Sequence, residues 1–285
     1  MKLAFVIFRY FPFGGLQRDM FAIAQAAMKA GHQVSIFCGD WQGDKIAGVD
    51  VTEIKSSRFF NVAGVKSFVD AFQRQYCRDE FNLLVGFNKM PGLDVYYCGD
   101  SCFAKKAYEK RNIFYRLTPR SRLYLEYEKA VYSHVSATHI LEVSAAERPV
   151  FAKYYATPDK RQTLLPPGID RELKLAGSSR LVAREKIRAE LGVGASDSVI
   201  LCAGSGYKTK GLDRSLRSFA AFRANNPNAV LVIVGNGNPR PFRTLINELE
   251  LKDTVCFMGG RNDMADIYAA SDLLLHPAYQ EVTGN

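Results

Sequence analysis

The sequence predicts an α/β protein of two similar units, each a parallel sheet with helices on both faces. Two observations carry this. Short apolar runs alternate with segments of helical periodicity along the 285 residues. The alternation breaks at Pro166-Pro167-Gly168, where neither a helix nor a central strand can continue, and then restarts.

Leu3–Phe8 is a continuous apolar run, suited to a strand buried on both faces. Arg9 closes the run, so it is too short for a signal peptide or a membrane helix. A loop with Pro12, Gly14 and Gly15 follows. Leu16, Met20, Ile23, Ala24, Ala27 and Met28 then fall at helical spacing over 16–30, ending at Gly31. Val34–Cys38, Leu83–Phe87, Val95–Cys98, His139–Val143 and Gln162–Leu165 read as further strands, and 64–78, 121–133 and 144–156 as helices. Residues 1–165 form a first domain and 166–178 a linker. Over 179–285 the expected order is helix 180–191, strand Val199–Ala203, helix 212–224, strand Val230–Val234, helix 240–251, strand Thr254–Phe257, helix 263–270 and strand Leu273–Leu275. No covering helix follows that last strand before Asn285. Either the second domain is C-terminally incomplete, or something else covers the surface.

Composition narrows the class. Hydrophobic residues make up 47% and charged residues 24%, which fits a folded protein and not a disordered one. Six cysteines show no paired metal-ligand spacing, so they read as reduced core thiols of a cytosolic protein. The net charge is +9, and 1–165 carries most of it, with 23 basic against 16 acidic residues. Residues 105–132 concentrate it further: Lys105, Lys106, Lys110, Arg111, Arg116, Arg120, Arg122 and Lys129 face only Glu109, Glu126 and Glu128. Six aromatic residues, Tyr108, Phe114, Tyr115, Tyr124, Tyr127 and Tyr132, are interleaved with them. Such a stretch suits an anionic partner, whether membrane surface, nucleic acid or phosphorylated acceptor.

Several loops at strand ends carry candidate chemistry. Gly14 and Gly15 open a helix and make either a tight turn or a phosphate or sugar cradle. Lys208 and Lys210, among the glycines of 204–211, would neutralise a diphosphate; a Walker A loop is excluded because Lys210 precedes the last glycine. Gly235 and Gly237 begin a dinucleotide fingerprint, but Arg240 replaces its third glycine and no acid lies near residue 257. A turn is the better reading, and a nicotinamide enzyme is disfavoured. Asn262 or Asp263 is the natural N-cap of a helix, and Arg261 beside it has the plane to stack on a base. Glu281 ends a last such loop and suits sugar hydroxyls. Asn88, Lys89, Asp94 and Asp100 are expected to cluster in the first domain, and His134 and His139 to be structural. No nucleophile elbow or Ser-His-Asp order is present.

Phe11-Pro-Phe-Gly-Gly-Leu-Gln-Arg-Asp19, Val85-Gly-Phe-Asn-Lys-Met-Pro-Gly-Leu-Asp-Val-Tyr96, Leu165-Pro-Pro-Gly-Ile169, the lysine loop 204–215, Gly260-Arg-Asn-Asp263 and Leu275-His-Pro-Ala-Tyr-Gln-Glu281 closely resemble one family over the whole chain. It is the lipopolysaccharide core glucosyltransferase I family of Gram-negative bacteria, within the retaining family 4 glycosyltransferases. The resemblance implies a GT-B fold: two Rossmann-like domains with parallel sheets and a donor-binding cleft between them, the second domain here incomplete. It implies a UDP-sugar donor, normally UDP-glucose, a heptose of the lipopolysaccharide inner core as acceptor, and no metal ion or other cofactor. The family's motifs assign Gly15, with Gly14 beside it, to the donor diphosphate and sugar, Lys210 to the phosphates, Arg261 to the uracil, Asp100 to the reacting centre and Glu281 to the donor sugar; the family's arginine before the lysine is Thr209 here, so Lys208 is the candidate for the second charge. Asp100, Lys210 and Glu281 are thus the expected catalytic residues. A second family glutamate would lie four positions past Asn285. That makes a donor- or membrane-binding remnant without turnover the competing expectation. Core assembly places the family on the cytoplasmic face of the inner membrane. Residues 105–132 then face anionic lipid, and a nucleic-acid partner is not expected.

Overall fold

Short apolar runs become most of the parallel strands, and the amphipathic segments between them become the helices that cover both faces. The computed structural model describes residues 1–12, 14–45, 47–55, 62–166, 168, 175–279 and 281. It divides into two units, Met1–Pro167 and Gly168–Asn285. Most of the expected linker, residues 167 and 169–174, lies outside the described residues.

In unit 1 the strands are β1 (Lys2–Ile7), β2 (Gln33–Cys38), β3 (Asp50–Glu53), β4 (Leu83–Gly86), β5 (Val95–Cys98), β6 (His139–Glu142) and β7 (Gln162–Leu164). All pair in parallel, in the order β3-β2-β1-β4-β5-β6-β7. The helices are α1 (Gly15–Lys29), α2 (Val62–Gln75), α3 (Phe103–Glu109), α4 (Ile113–Leu117), α5 (Pro119–Tyr132) and α6 (Arg148–Tyr155). Ala4 and Val6 of β1 join Phe68 and Phe72 of α2, Tyr132 of α5 and Phe151 of α6 in one buried cluster. The expected helix 144–156 is divided: a 3₁₀ turn at Ala145–Glu147 precedes α6, whose first turn holds Pro149.

Unit 2 contains α7 (Gly177–Leu191), β8 (Val199–Ala203), α8 (Leu212–Arg223), β9 (Val230–Val234), α9 (Arg243–Glu248), β10 (Val255–Gly259), α10 (Met264–Ala270) and β11 (Leu273–Leu274). The parallel order is β10-β9-β8-β11. Along β9 the burial alternates between faces. Leu231 and Ile233 pack with Leu216 and Phe219 of α8, while Val232 and Val234 pack with Ile187 of α7 and Ile267 of α10. The expected helix 240–251 shortens to a 3₁₀ turn at Arg240–Phe242 followed by α9, beside Pro239 and Pro241. In β11, Leu273 and Leu274 remain 54% and 53% exposed.

Each sheet therefore reverses its winding once, between β1 and β4 in unit 1 and between β8 and β11 in unit 2. Crevices outside the strand carboxyl ends at such reversals are where open α/β sheets bind ligands.

Candidate active site

In unit 2 the loops after β8 and β11 meet at that reversal. Gly211 carries φ +73°, and a Cβ there would lie 2.2 Å from the Pro277 carbonyl oxygen. Only glycine allows both the left-handed backbone and this approach. Tyr279 N–H donates to the Thr209 carbonyl at 2.9 Å. The Tyr279 hydroxyl donates to Asp213 at 2.6 Å, and Arg214 stacks 3.6 Å above its ring. The two loops are thereby locked together.

Lys210 and Glu281 come into contact as a result. Lys210 Nζ donates to Glu281 Oε2, and His276 Nε2 lies 2.8 Å from the same oxygen. Burial pushes the Glu281 carboxyl up, but the bonds from Lys210 and His276 outweigh it and hold the group below its ordinary range. Glu281 is therefore an anion near neutral pH. Lys208 is exposed on the same loop as Lys210.

Arg261 follows β10, two strands from β8. Its guanidinium donates to Asp263 at 2.8 and 2.7 Å and to Glu190 of α7 at 2.7 and 3.1 Å. These bonds lie along the guanidinium edges and leave its face for stacking. The expected cap role of Asp263 is corrected here. Asp263 occupies the N-cap position of α10 but makes no side-chain cap bond, because its carboxylate is committed to Arg261. Gly237 is required by packing, since a Cβ there would meet the Tyr207 ring at 2.5 Å.

In unit 1, Gly14 is the N-cap of α1 and Gly15 its first residue. A Cβ on Gly14 would collide with Gln17 at 1.8 Å, whereas one on Gly15 would meet nothing within 4 Å. Gly14 serves packing, and Gly15 opens onto free space. A Cβ on Gly99 would lie 3.0 Å from Leu16, so the start of α1 abuts the loop carrying exposed Asp100.

The expected cluster of Asn88, Lys89, Asp94 and Asp100 is only partly formed. Asn88 Oδ1 accepts from Phe8 N–H at 2.7 Å, tying the ends of β1 and β4 together. Asp94 lies at the opposite, amino end of the sheet, where it pairs with Arg78 and accepts from Leu84 N–H at 2.7 Å. Lys89 turns inward to Glu128 of α5 at 2.6 Å, and donates to the Ser101 carbonyl at 3.1 Å. Glu128 also accepts from Phe103 N–H at 2.7 Å, Ala104 N–H at 2.8 Å and the Tyr155 hydroxyl at 2.9 Å. It therefore holds both the start of α3 and the loop with Asp100. Burial disfavours both charges, but each partner's field outweighs it: Glu128 is held below its usual range and Lys89 above.

The basic stretch 105–132 has a different composition at its surface than the sequence suggests. Glu128 is buried in that pair, so eight basic residues face only Glu109 and Glu126. Tyr127 and Tyr132 belong to the core, while Arg111, Arg116 and Arg120 lie over the rings of Tyr115, Tyr108 and Tyr124. What projects is Phe114 at 74% exposure, Ile113 at 62% and Leu117 at 57%. Burial lowers the Lys106 pKa, and neighbouring Arg111, Arg120 and Lys110 lower it further, the signature of a crowded cationic surface. Sequence reasoning missed Ile113 and Leu117, because it counted aromatic residues. It also left His276 and Glu190 without roles; neither has a regular spacing to its partner that a pattern search would find.

Two doubly wound parallel units, with charged and glycine-bearing loops at their strand carboxyl ends, make this a glycosyltransferase of the GT-B fold. Residues 183–285 match the family Glycosyl transferases group 1. Over 285 residues the chain is 35% identical to lipopolysaccharide glucosyltransferase WaaG of Escherichia coli (strain K12), covering 100% of this chain and 76% of that protein. The crystal structure of WaaG, a glycosyltransferase involved in lipopolysaccharide biosynthesis, matches with a TM-score of 0.93 over 99% of this chain and 76% of that one. Anabaena Alr3699/HepE in complex with UDP and glucose shares the fold at 18% identity, with a TM-score of 0.73 over 100% of this chain and 76% of that one. The chain belongs to the group 1 glycosyltransferase family that includes WaaG.

Proposed function

We propose that the chain transfers glucose from UDP-glucose onto a heptose of the lipopolysaccharide inner core, with retention of the α configuration. The observation that carries this reading is the contact of Lys210 and Glu281 at the β8/β11 reversal, an arrangement that suits a diphosphate beside a hydroxyl-rich sugar. Arg261 lies about 10 Å away across two strand spacings, where a nucleotide laid over the strand ends would set its base. The resemblance stated above assigns the same residues to the same parts of the donor.

The acceptor oxygen bonds to the donor C1 as the bond from C1 to the phosphate oxygen breaks. The acceptor's proton passes to the departing diphosphate on the same face. Negative charge grows on that diphosphate, and Lys210 and Lys208 stabilise it most in the transition state. Glu281 orients the sugar hydroxyls. The lysine charges do the work for which other transferases recruit a metal ion. Turnover should therefore persist in EDTA.

The reaction takes place at an anionic membrane surface, approached through α3–α5. No described helix is long and apolar enough to cross a membrane. Basic side chains beside exposed Ile113, Phe114 and Leu117 combine charge attraction with shallow insertion. A donor panel of UDP-glucose, UDP-galactose and ADP-glucose with deglucosylated core acceptor tests the assignment, the product anomer being read by NMR. A β-linked product, or transfer from ADP-glucose alone, refutes it.

A further inference from the structure

We propose that His276 is a positioning residue that keeps the Glu281 carboxylate on the donor sugar when the diphosphate engages Lys210. The inference rests on the donor-site reading above. Among the described residues Glu281 Oε2 has two partners, Lys210 Nζ and His276 Nε2. A diphosphate would compete with Glu281 for the Lys210 charge, and its own negative charge would repel the carboxylate. His276 is then the partner that remains. Its ring offers an N–H at Nε2 whether the imidazole is neutral in that tautomer or protonated.

The backbone makes His276 a firm support. Leu275 N–H donates to Leu201 of β8 at 2.8 Å, and Cys202 Sγ–H donates to the Leu275 carbonyl at 3.3 Å. His276 thus leaves the sheet edge at a fixed point, while Glu281 lies five residues further along the loop. His276 and Lys210 also line one small hollow with Gly204 and Leu275. The side chains of His276 and Glu281 are 27% and 28% exposed.

Isothermal titration with UDP and with UDP-glucose, on wild type, His276→Ala and His276→Gln, tests this. UDP affinity should be unchanged in all three. UDP-glucose affinity should fall at least about tenfold in His276→Ala, the scale of one hydrogen bond to a charged group. His276→Gln, which keeps an N–H donor, should recover most of it. In turnover the alanine variant should raise KM for UDP-glucose more than it lowers kcat. Equal losses for UDP and UDP-glucose, or no loss for either, overturn the proposal. Lys210→Ala reports separately on the reading beneath it. If that variant loses UDP while His276→Ala discriminates nothing, only the positioning role falls. If it keeps UDP, the donor site and the proposal fall together.

Discussion

Replacing Lys89 by Met would strand Glu128, a carboxylate that is 0% exposed. Removing one partner of a buried pair costs about 3–5 kcal/mol, because the other charge stays desolvated. Here Glu128 keeps two backbone N–H donors and the Tyr155 hydroxyl, so the lower end applies, about 3 kcal/mol. With a urea m-value of about 2 kcal/mol/M, the midpoint should drop by about 1.5 M. Trp41, the single tryptophan, lies in unit 1 and reports its unfolding by fluorescence. The pH dependence adds a second readout. In the wild type, the lowered Glu128 pKa contributes stability above the unfolded value of 4.5, which is lost as pH falls through the folded one. The raised Lys89 pKa contributes below 10.5 and is lost as pH rises through its folded value, so both contributions are complete at pH 7. Without Lys89, burial favours a protonated Glu128, and the deficit should narrow between pH 7.5 and about 5. A midpoint within about 0.3 M of wild type, or a deficit that widens toward acid, would refute the reasoning.

Other substitutions probe the remaining features. Gly211→Ala forces a Cβ against the Pro277 carbonyl; it should cost about 1–3 kcal/mol in thermal denaturation and weaken UDP binding. Phe114→Ser with Ile113→Ser should leave the melting temperature unchanged but reduce binding to anionic vesicles at least tenfold, since each apolar side chain is worth about 1.5–3 kcal/mol when buried. Equal wild-type binding to neutral vesicles would leave the basic residues without a part in it. Arg261→Ala should weaken UDP by about 0.5–2 kcal/mol and leave pyrophosphate affinity intact, if its face stacks on the base.

Legibility from sequence followed how local the physics was. Val199–Ala203 and Val230–Val234 appear with the bounds expected, because strands buried on both faces are unbroken apolar runs. The edge strand β3, Asp-Val-Thr-Glu, carries no such run and went unpredicted. So did α3 and α4, which have seven and five residues. Their ends are set by Glu128, by the Asn112 cap and by the Thr118 that follows α4, and the first of these is a tertiary contact. The lysine and glycine loop of unit 2 was legible because its residues are contiguous. The Lys89–Glu128 pair spans 39 residues, and nothing in local spacing announces it. Asp94 was misplaced for the related reason that Arg78, 16 residues earlier, claims it at the far end of the sheet.

The pairing of β11 with β8 carries a kinetic implication. Lys210 and Glu281 stand 71 residues apart, and only Leu273–Ile200 and Leu274–Leu201 register the strand that joins their loops. Such non-local contacts form late, after the intervening helices and strands have closed the chain between them. The shortest strand of the sheet is also the one expected to open first in the native state. A ligand gripped by both loops would slow that opening in proportion to its occupancy. Amide exchange at Asp272 and Leu275, whose N–H groups donate to Val199 and Leu201 of β8, should therefore serve as a gauge of donor occupancy, slowing as UDP-glucose is added while amides in the middle of β9 stay as they were.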